Sequence, residues 1–228
     1  RAEMLAGISH DLRTPLARLR LETEMSVPDP EAREHMAADI AQVDAIIDKF
    51  LDYARPDHVN LMPVPLAELT RAYVQPCTVR DDMQVQINMP PDPMVMADDV
   101  QPGRVMSNLL ENARRYGKTP GTGSTRVRIA ATVRDEWVTL RVRDHGHGVP
   151  EQLLPELTRP FFRGDVARTA ATGAGLGLAL VAKMVQNMGG TLALGNSPSG
   201  GLLAVIRLRQ ATERQAAAGG SKRRGGGF

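Results

Sequence analysis

The 228-residue chain holds a single cysteine, Cys77. One thiol can neither close an intrachain disulfide nor supply a cysteine-based zinc site, and it is compatible with a reducing compartment. Long apolar runs are also missing. The longest stretch of apolar residues and glycine, 173–182, falls far short of the ~20 residues that span a bilayer, and no signal peptide is visible. Charge of one sign is scarce: 28 Lys and Arg against 26 Asp and Glu leave +2, too little to argue for a nucleic-acid partner. Among the basic residues only Lys49, Lys118, Lys183 and Lys222 are lysines. No repeat with a period of roughly 20–50 residues appears. What remains is ordinary globular composition, 42% hydrophobic and 24% charged, in a chain long enough to bury a core in one medium domain or two small ones.

Two helical stripes open the chain. Leu5, Ile8, Leu12, Leu16 and Leu19 recur at spacings of 3, 4, 4 and 3, and Met36, Ile40, Val43, Ile47, Phe50 and Ala54 at 4, 3, 4, 3 and 4, each the pattern of one helix face. Val27-Pro28-Asp29-Pro30 interrupts them, so the pair reads as an antiparallel helical hairpin. Each stripe is only one face wide, and two such helices cannot close a core alone; a second copy completing a four-helix bundle is expected. The first helix has no cap at Arg1, which fits a piece of a longer protein. Residues 56–65 form a proline-bearing linker. Beyond it, helices are expected at 66–75, 100–116 and 176–188. Strands are expected at 85–89, 94–97, 126–133, 137–143, 191–194 and 202–208, the last four as two hairpins. Residues 146–173 lack periodicity and are long for a loop, which marks them as functional or mobile. From Gln210 the chain turns to Ala, Gly, Lys and Arg, the composition of a disordered tail.

His10 occupies a distinctive place on the first helix. At ~100° per residue the first stripe covers about an 80° arc whose centre lies roughly 160° from His10, so the imidazole is expected to face solvent. Thr14 shares that outer face one turn on, Asp11 adjoins it, and Arg13 and Arg18 add positive charge. Pro15 stands inside the helical pattern, where it removes a backbone hydrogen bond and favours a bend. An exposed histidine is usually only that. An acid to hold the tautomer, a hydroxyl one turn away and a distorting proline together favour function.

Ser9-His10-Asp11-Leu12-Arg13-Thr14-Pro15-Leu16 resembles the H-box of sensor histidine kinases, in the subfamily where an acid follows the histidine. The resemblance implies that His10 is the phospho-accepting nucleophile, a role that suits a neutral imidazole near neutral pH. It implies that Asp11 accepts the other ring N–H or acts as a base. It also implies that Thr14 positions the water that hydrolyses a regulator's phospho-aspartate.

Four further segments resemble that family's ATP-binding domain, whose fold is shared with gyrase, Hsp90 and MutL. Asn108-Leu109-Leu110-Glu111-Asn112-Ala113-Arg114-Arg115-Tyr116 is similar to the N-box. Asn108 and Asn112 lie one helical turn apart and offer side-chain oxygens to one side, and Mg²⁺ takes hard oxygen ligands. By resemblance Asn112 is the metal ligand, Asn108 a supporting contact, Arg115 a phosphate neighbour and Tyr116 an adenine neighbour. Asp144-His145-Gly146-His147-Gly148 matches the G1 box, in which Asp144 accepts from the adenine amine while Gly146 and Gly148 let the backbone approach the base. His145 and His147 fall at that motif's variable positions, and His-x-His without a third ligand is a weak metal signal. Arg159-Pro160-Phe161-Phe162-Arg163-Gly164 resembles the F-box, where Phe161 and Phe162 anchor a lid. Arg163 and Arg168 are candidate phosphate contacts. Gly173-Ala174-Gly175-Leu176-Gly177-Leu178 resembles the G2 box: Gly173, Gly175, Leu176 and Gly177 open an apolar helix whose N–H groups can hold phosphates.

Competing motifs fail. Gly117-Lys118-Thr119 lacks the P-loop glycine, Asn112 standing in its place, and neither Gly-x-Gly reaches the third glycine of a dinucleotide fingerprint, Glu151 and Leu178 occupying those positions. An ATPase clamp with the same nucleotide fold leaves the His10 hairpin unexplained. A non-catalytic docking module is separated by whether ATP affinity depends on Asn112. The resemblance spans roughly 1–208, and residues 9–20 and 162–169 look most like the EnvZ-type osmosensing branch. The expected fold is α+β: a hairpin at 1–57 forming a dimeric four-helix bundle, a linker at 58–64, a GHKL/Bergerat α/β sandwich at 65–209 and a tail at 210–228. The family implies ATP and Mg²⁺ as ligands, a homodimer, an OmpR-like response regulator as partner, no direct nucleic-acid contact, and a cytoplasmic place in an inner-membrane protein whose sensor and membrane helices precede residue 1.

Overall fold

The computed structural model describes residues 2–55, 59–78, 82–91, 93–163, 174–212 and 215, with the side chains of 2–6 and 8–10 outside that description. Helices α1 (Ala2–Ser26) and α2 (Pro30–Ala54) form the hairpin. Asp29 starts the second helix: its backbone is extended, its carboxylate accepts from the Ala32 N–H at 3.0 Å, and Pro30 supplies the first helical position. Helix α1 continues through Pro15. Thr23, a buried polar residue of α1, turns its hydroxyl back to the Leu19 carbonyl at 2.8 Å. Leu12, Leu19, Met36 and Val43, all stripe residues, remain exposed on the single chain.

The rest of the chain is a two-layer α/β sandwich. A five-stranded sheet runs in the order β2 (Met83–Asn88), β4 (Thr125–Arg134), β5 (Trp137–Asp144), β7 (Leu202–Arg209), β6 (Thr191–Asn196). Only the β2–β4 pair is parallel. Strand alternation sends Val127, Ile129, Val138, Leu140, Ala204 and Ile206 inward and leaves Arg126, Arg128, Arg141, Arg207 and Arg209 on the wet face. Helices α3 (Leu66–Thr78), α4 (Gln101–Tyr116) and α5 (Gly177–Asn187) cover the apolar face, burying Val105, Met106, Leu110, Val181 and Met184 in one core.

Three segments depart from the structure that their local pattern predicts. Met62–Pro65, left in the linker, is strand β1, paired antiparallel with β3 (Met94–Ala97) in a separate two-stranded sheet. Pro63 and Pro65 disguise it, and a short edge pairing is where proline is tolerated. Gln210 and Ala211, assigned to the tail, are held: Gln210 bridges Val95, and the Ala211 N–H donates to the Met94 carbonyl at 2.9 Å. A short 3₁₀ helix, Glu151–Glu156, stands in the aperiodic stretch after β5. Apart from Gln215, the tail beyond Thr212 lies outside the described residues.

Candidate functional site

A cavity of about 730 Å³ opens between α4, α5 and the end of β5, within the range of small-ligand sites. Helix α4 supplies one wall. Asn108, Glu111, Asn112, Arg115 and Tyr116 line it, and their spacings of 3, 1, 3 and 1 put them on a single face. The opposite face of α4, with Val105, Met106, Leu109, Leu110 and Ala113, is packed in the core, so the polar face has nowhere else to turn. Asn108 donates its Nδ2 back to the Arg104 carbonyl at 2.8 Å, keeping its oxygen toward the start of α5.

Asp144 ends β5 on the cavity wall and is buried. Two backbone N–H groups, of Gly146 at 2.9 Å and Leu202 at 3.1 Å, converge on the same oxygen, Oδ1. Burial pushes this carboxyl above its ordinary value, and the two N–H donors with the charges of His145 and Arg143 only partly oppose the shift. The approach of β7 that brings Leu202 in depends on Gly201. Its φ is +86°, and a Cβ there would stand 1.9 Å from the Asp144 carbonyl oxygen.

Residues Ala174, Gly175, Leu176, Gly177 and Leu178 form the far wall, where α5 begins. No side chain caps that helix among the described residues, so its first N–H groups face the cavity as a ready anion site. Gly175 makes the entry possible: at φ +68° its carbonyl accepts from the Phe161 N–H at 3.0 Å, and a Cβ would lie 2.6 Å from the Phe162 carbonyl.

A polar rim for phosphate, a buried carboxylate for a base amine and an apolar floor of Val149, Leu153 and Leu157 together suit a nucleotide. Comparison with known proteins points the same way. Residues 97–212 match the histidine kinase-, DNA gyrase B-, and HSP90-like ATPase family, and residues 1–59 match the His Kinase A (phospho-acceptor) domain. The chain belongs to the two-component sensor histidine kinases. The sensor protein RstB of Escherichia coli is 36% identical over 210 residues, covering 87% of this chain and 46% of that protein. The sensor histidine kinase GtrS of Pseudomonas aeruginosa is 32% identical over 216 residues, 91% of this chain and 42% of that protein. This kinase chain spans less than half the length of the curated relatives it matches. Among solved structures, full-length ShkA in complex with AMPPNP superposes with a TM-score of 0.73 at 23% identity, over 93% of this chain and 47% of that one. The mycobacterial sensor histidine kinase MprB gives 0.57 at 27%, over 66% and 98%.

The fold of this histidine kinase brings Asn108, Asn112, Arg115, Tyr116, Asp144, Gly148, Phe162, Arg163, Gly175, Leu176 and Gly177 to one cavity. Gly146 stands behind the wall as an Asp144 donor rather than in the lining. Phe161, expected to anchor a lid beside Phe162, is not brought to that cavity. At φ +63° it is exposed, outside the lining, with its ring 6.1 Å from that of Phe50 on α2. The turn that lets Phe161 bond to Gly175 aims the ring at the hairpin instead of the nucleotide space. Arg168 and Gly173 lie outside the described residues, as does the side chain of His10, whose backbone belongs to α1. Asp11 and Thr14 are exposed on that helix.

Several lining residues escaped the sequence reading. Glu111 shares the α4 face with Asn108 and Asn112, a periodicity that could have found it. It holds Lys49 Nζ at 2.7 Å on Oε2 and Arg115 at 2.5 Å on Oε1. Burial alone would raise this carboxyl, but the two cations outweigh it and hold it below the ordinary value. His147, at a variable motif position, also lines the cavity. Lys49 had no signal at all, because it comes from the other domain.

Proposed function

We propose that this chain is the catalytic core of a sensor histidine kinase, with ATP in the cavity between α4 and α5 and His10 as the phosphoryl acceptor. An imidazole nitrogen of His10 attacks the γ-phosphorus. A P–N bond forms as the bond from that phosphorus to the bridging oxygen breaks, ADP leaves, and Asp11 takes the ring proton. The phosphoryl group then passes to an aspartate of an OmpR-like response regulator. Thr14 orients the water that later hydrolyses that phospho-aspartate, which makes the protein bifunctional. The observation that carries the reading is the convergence of Asn112 and Asp144 on one cavity, in a chain whose first helix bears the H-box.

Each lining group has a task. Asp144 accepts from the adenine amine. The N-terminus of α5, with Arg115 and Arg163, offsets phosphate charge, and positioning with charge stabilisation supplies most of the catalysis in phosphoryl transfer. The donor set fits Mg²⁺: a cation here would draw on the Asn112 amide oxygen, a hard donor in the lining, together with phosphate oxygens and water. When bound, Mg²⁺ screens the polyphosphate charge. The hairpin pairs with a second copy, nucleic acid is not contacted directly, and the protein belongs to a bacterial inner membrane; no described helix is long and apolar enough to cross one.

Incubation with γ-labelled ATP tests this. The wild type takes up acid-labile, alkali-stable label, and His10→Gln takes up none while retaining ATP affinity. Acid-stable label, or equal labelling of the two proteins, overturns the assignment.

A further inference from the structure

We propose that Lys49, near the end of the helical hairpin, is a nucleotide-binding residue that joins the ATP site across the domain boundary and contacts the polyphosphate. The proposal rests on the reading of the cavity as an ATP site. Among the described lining residues, Lys49 alone comes from the hairpin. Its ammonium is 2.7 Å from Glu111 Oε2, and Glu111 immediately precedes Asn112. The other Glu111 oxygen is held by Arg115. Two cations therefore share one carboxylate on the wall that carries Asn112, so positive charge exceeds negative among these three side chains.

The position of Lys49 is fixed by contacts that do not involve it. Asp52, three residues on, pairs with Arg104 of α4 at 2.8 Å. Lys183 of α5 donates to the carbonyls of Tyr53 and Arg55, both at 2.7 Å, satisfying oxygens that the end of a helix leaves without intrahelical partners. Phe50 meets Phe161, and Leu51, the next residue in the chain, is buried. The last turns of α2 are thus docked on the ATP-binding domain at several independent points, and the docking carries the ammonium to the cavity wall.

A lysine ammonium has three donors on a flexible stem. It can keep its bond to Glu111 and give another to a phosphate oxygen, a charge-assisted bond stronger than a neutral one. As a simple strut between domains, a part-exposed ion pair contributes little. Against a polyanion held in a partly closed cavity the same charge counts for more. Linkage then requires that hairpin docking tighten the polyphosphate and that the polyphosphate tighten docking by the same factor.

The test compares the affinities of the full chain for AMPPNP with Mg²⁺ and for adenosine, in the wild type, Lys49→Gln and Lys49→Arg. Lys49→Gln weakens AMPPNP about tenfold, the factor carried by one charge-assisted hydrogen bond, and leaves adenosine unchanged; Lys49→Arg recovers most of the loss. No loss for AMPPNP, an equal loss for adenosine, or an arginine variant as weak as the glutamine one overturns the proposal and leaves Lys49 a strut. A wild type that binds neither ligand instead defeats the ATP reading.

Discussion

Asp144 is buried, with two N–H donors on one of its oxygens. Because its folded pKa is raised, the folded chain holds the proton more tightly than the unfolded chain. Its contribution to stability is therefore largest below the unfolded value and declines as pH rises through the raised folded value. Asn in its place retains an oxygen for the two N–H groups and removes the charge. Asp144→Asn is expected to melt no lower than the wild type at neutral pH, while ATP binds at least about tenfold more weakly for want of a charged acceptor. Thermal melts and equilibrium titration separate the two effects; a large fall in melting temperature would mean the carboxylate is needed for folding. Thr14 tests the second proposed activity. Thr14→Ala should keep autophosphorylation and lose most dephosphorylation of the phospho-regulator, and equal dephosphorylation rates in the two proteins would remove Thr14 from that step.

At the scale of elements, the hairpin depends on how its second helix begins. Asp29 supplies the only described side-chain cap of α2, with Pro30 preset for the first turn. Asp29→Ala should cost about 1 kcal/mol of stability, the ordinary value of an N-cap, and should appear as a lower denaturant midpoint with an unchanged slope. ATP affinity should not move, since the cap is on the hairpin and outside the cavity lining. Helix α4 works differently. Its two faces do separate tasks, one filling the core and the other lining the cavity, so a single amphipathic stripe places five polar residues with no loop geometry involved.

At the scale of the whole molecule, the hairpin leaves a row of apolar residues uncovered. Leu12, Leu19, Met36 and Val43 stay exposed in one chain, on the faces that the heptad-like stripes predict to be covered. A second copy is the proposed cover. Leu19→Glu combined with Val43→Glu should convert particles of two-chain mass into particles of one-chain mass by light scattering, with ATP binding retained because neither residue lines the cavity. Two-chain particles persisting in that variant would place the dimer contact elsewhere.

Local patterning in the chain was enough for most elements of the helical hairpin and of the α/β sandwich. The 3-and-4 spacings mark α1 and α2 and alternation marks β4, β5 and β7, because each is a short-range regularity that backbone geometry imposes; the Asn, Asp-x-Gly-x-Gly and glycine-rich segments stand out only by their resemblance to a known family, and many of their residues line the cavity. Strand β1 was hidden by its prolines, and Gln210 and Ala211 by a composition that resembles a tail; both gain their structure from pairing with β3, a partner distant in sequence. The aim of Phe161 at Phe50 and the reach of Lys49 to Glu111 were decided by tertiary structure alone. Contacts between two domains depend on how rigid elements dock, and no spacing within either segment records that.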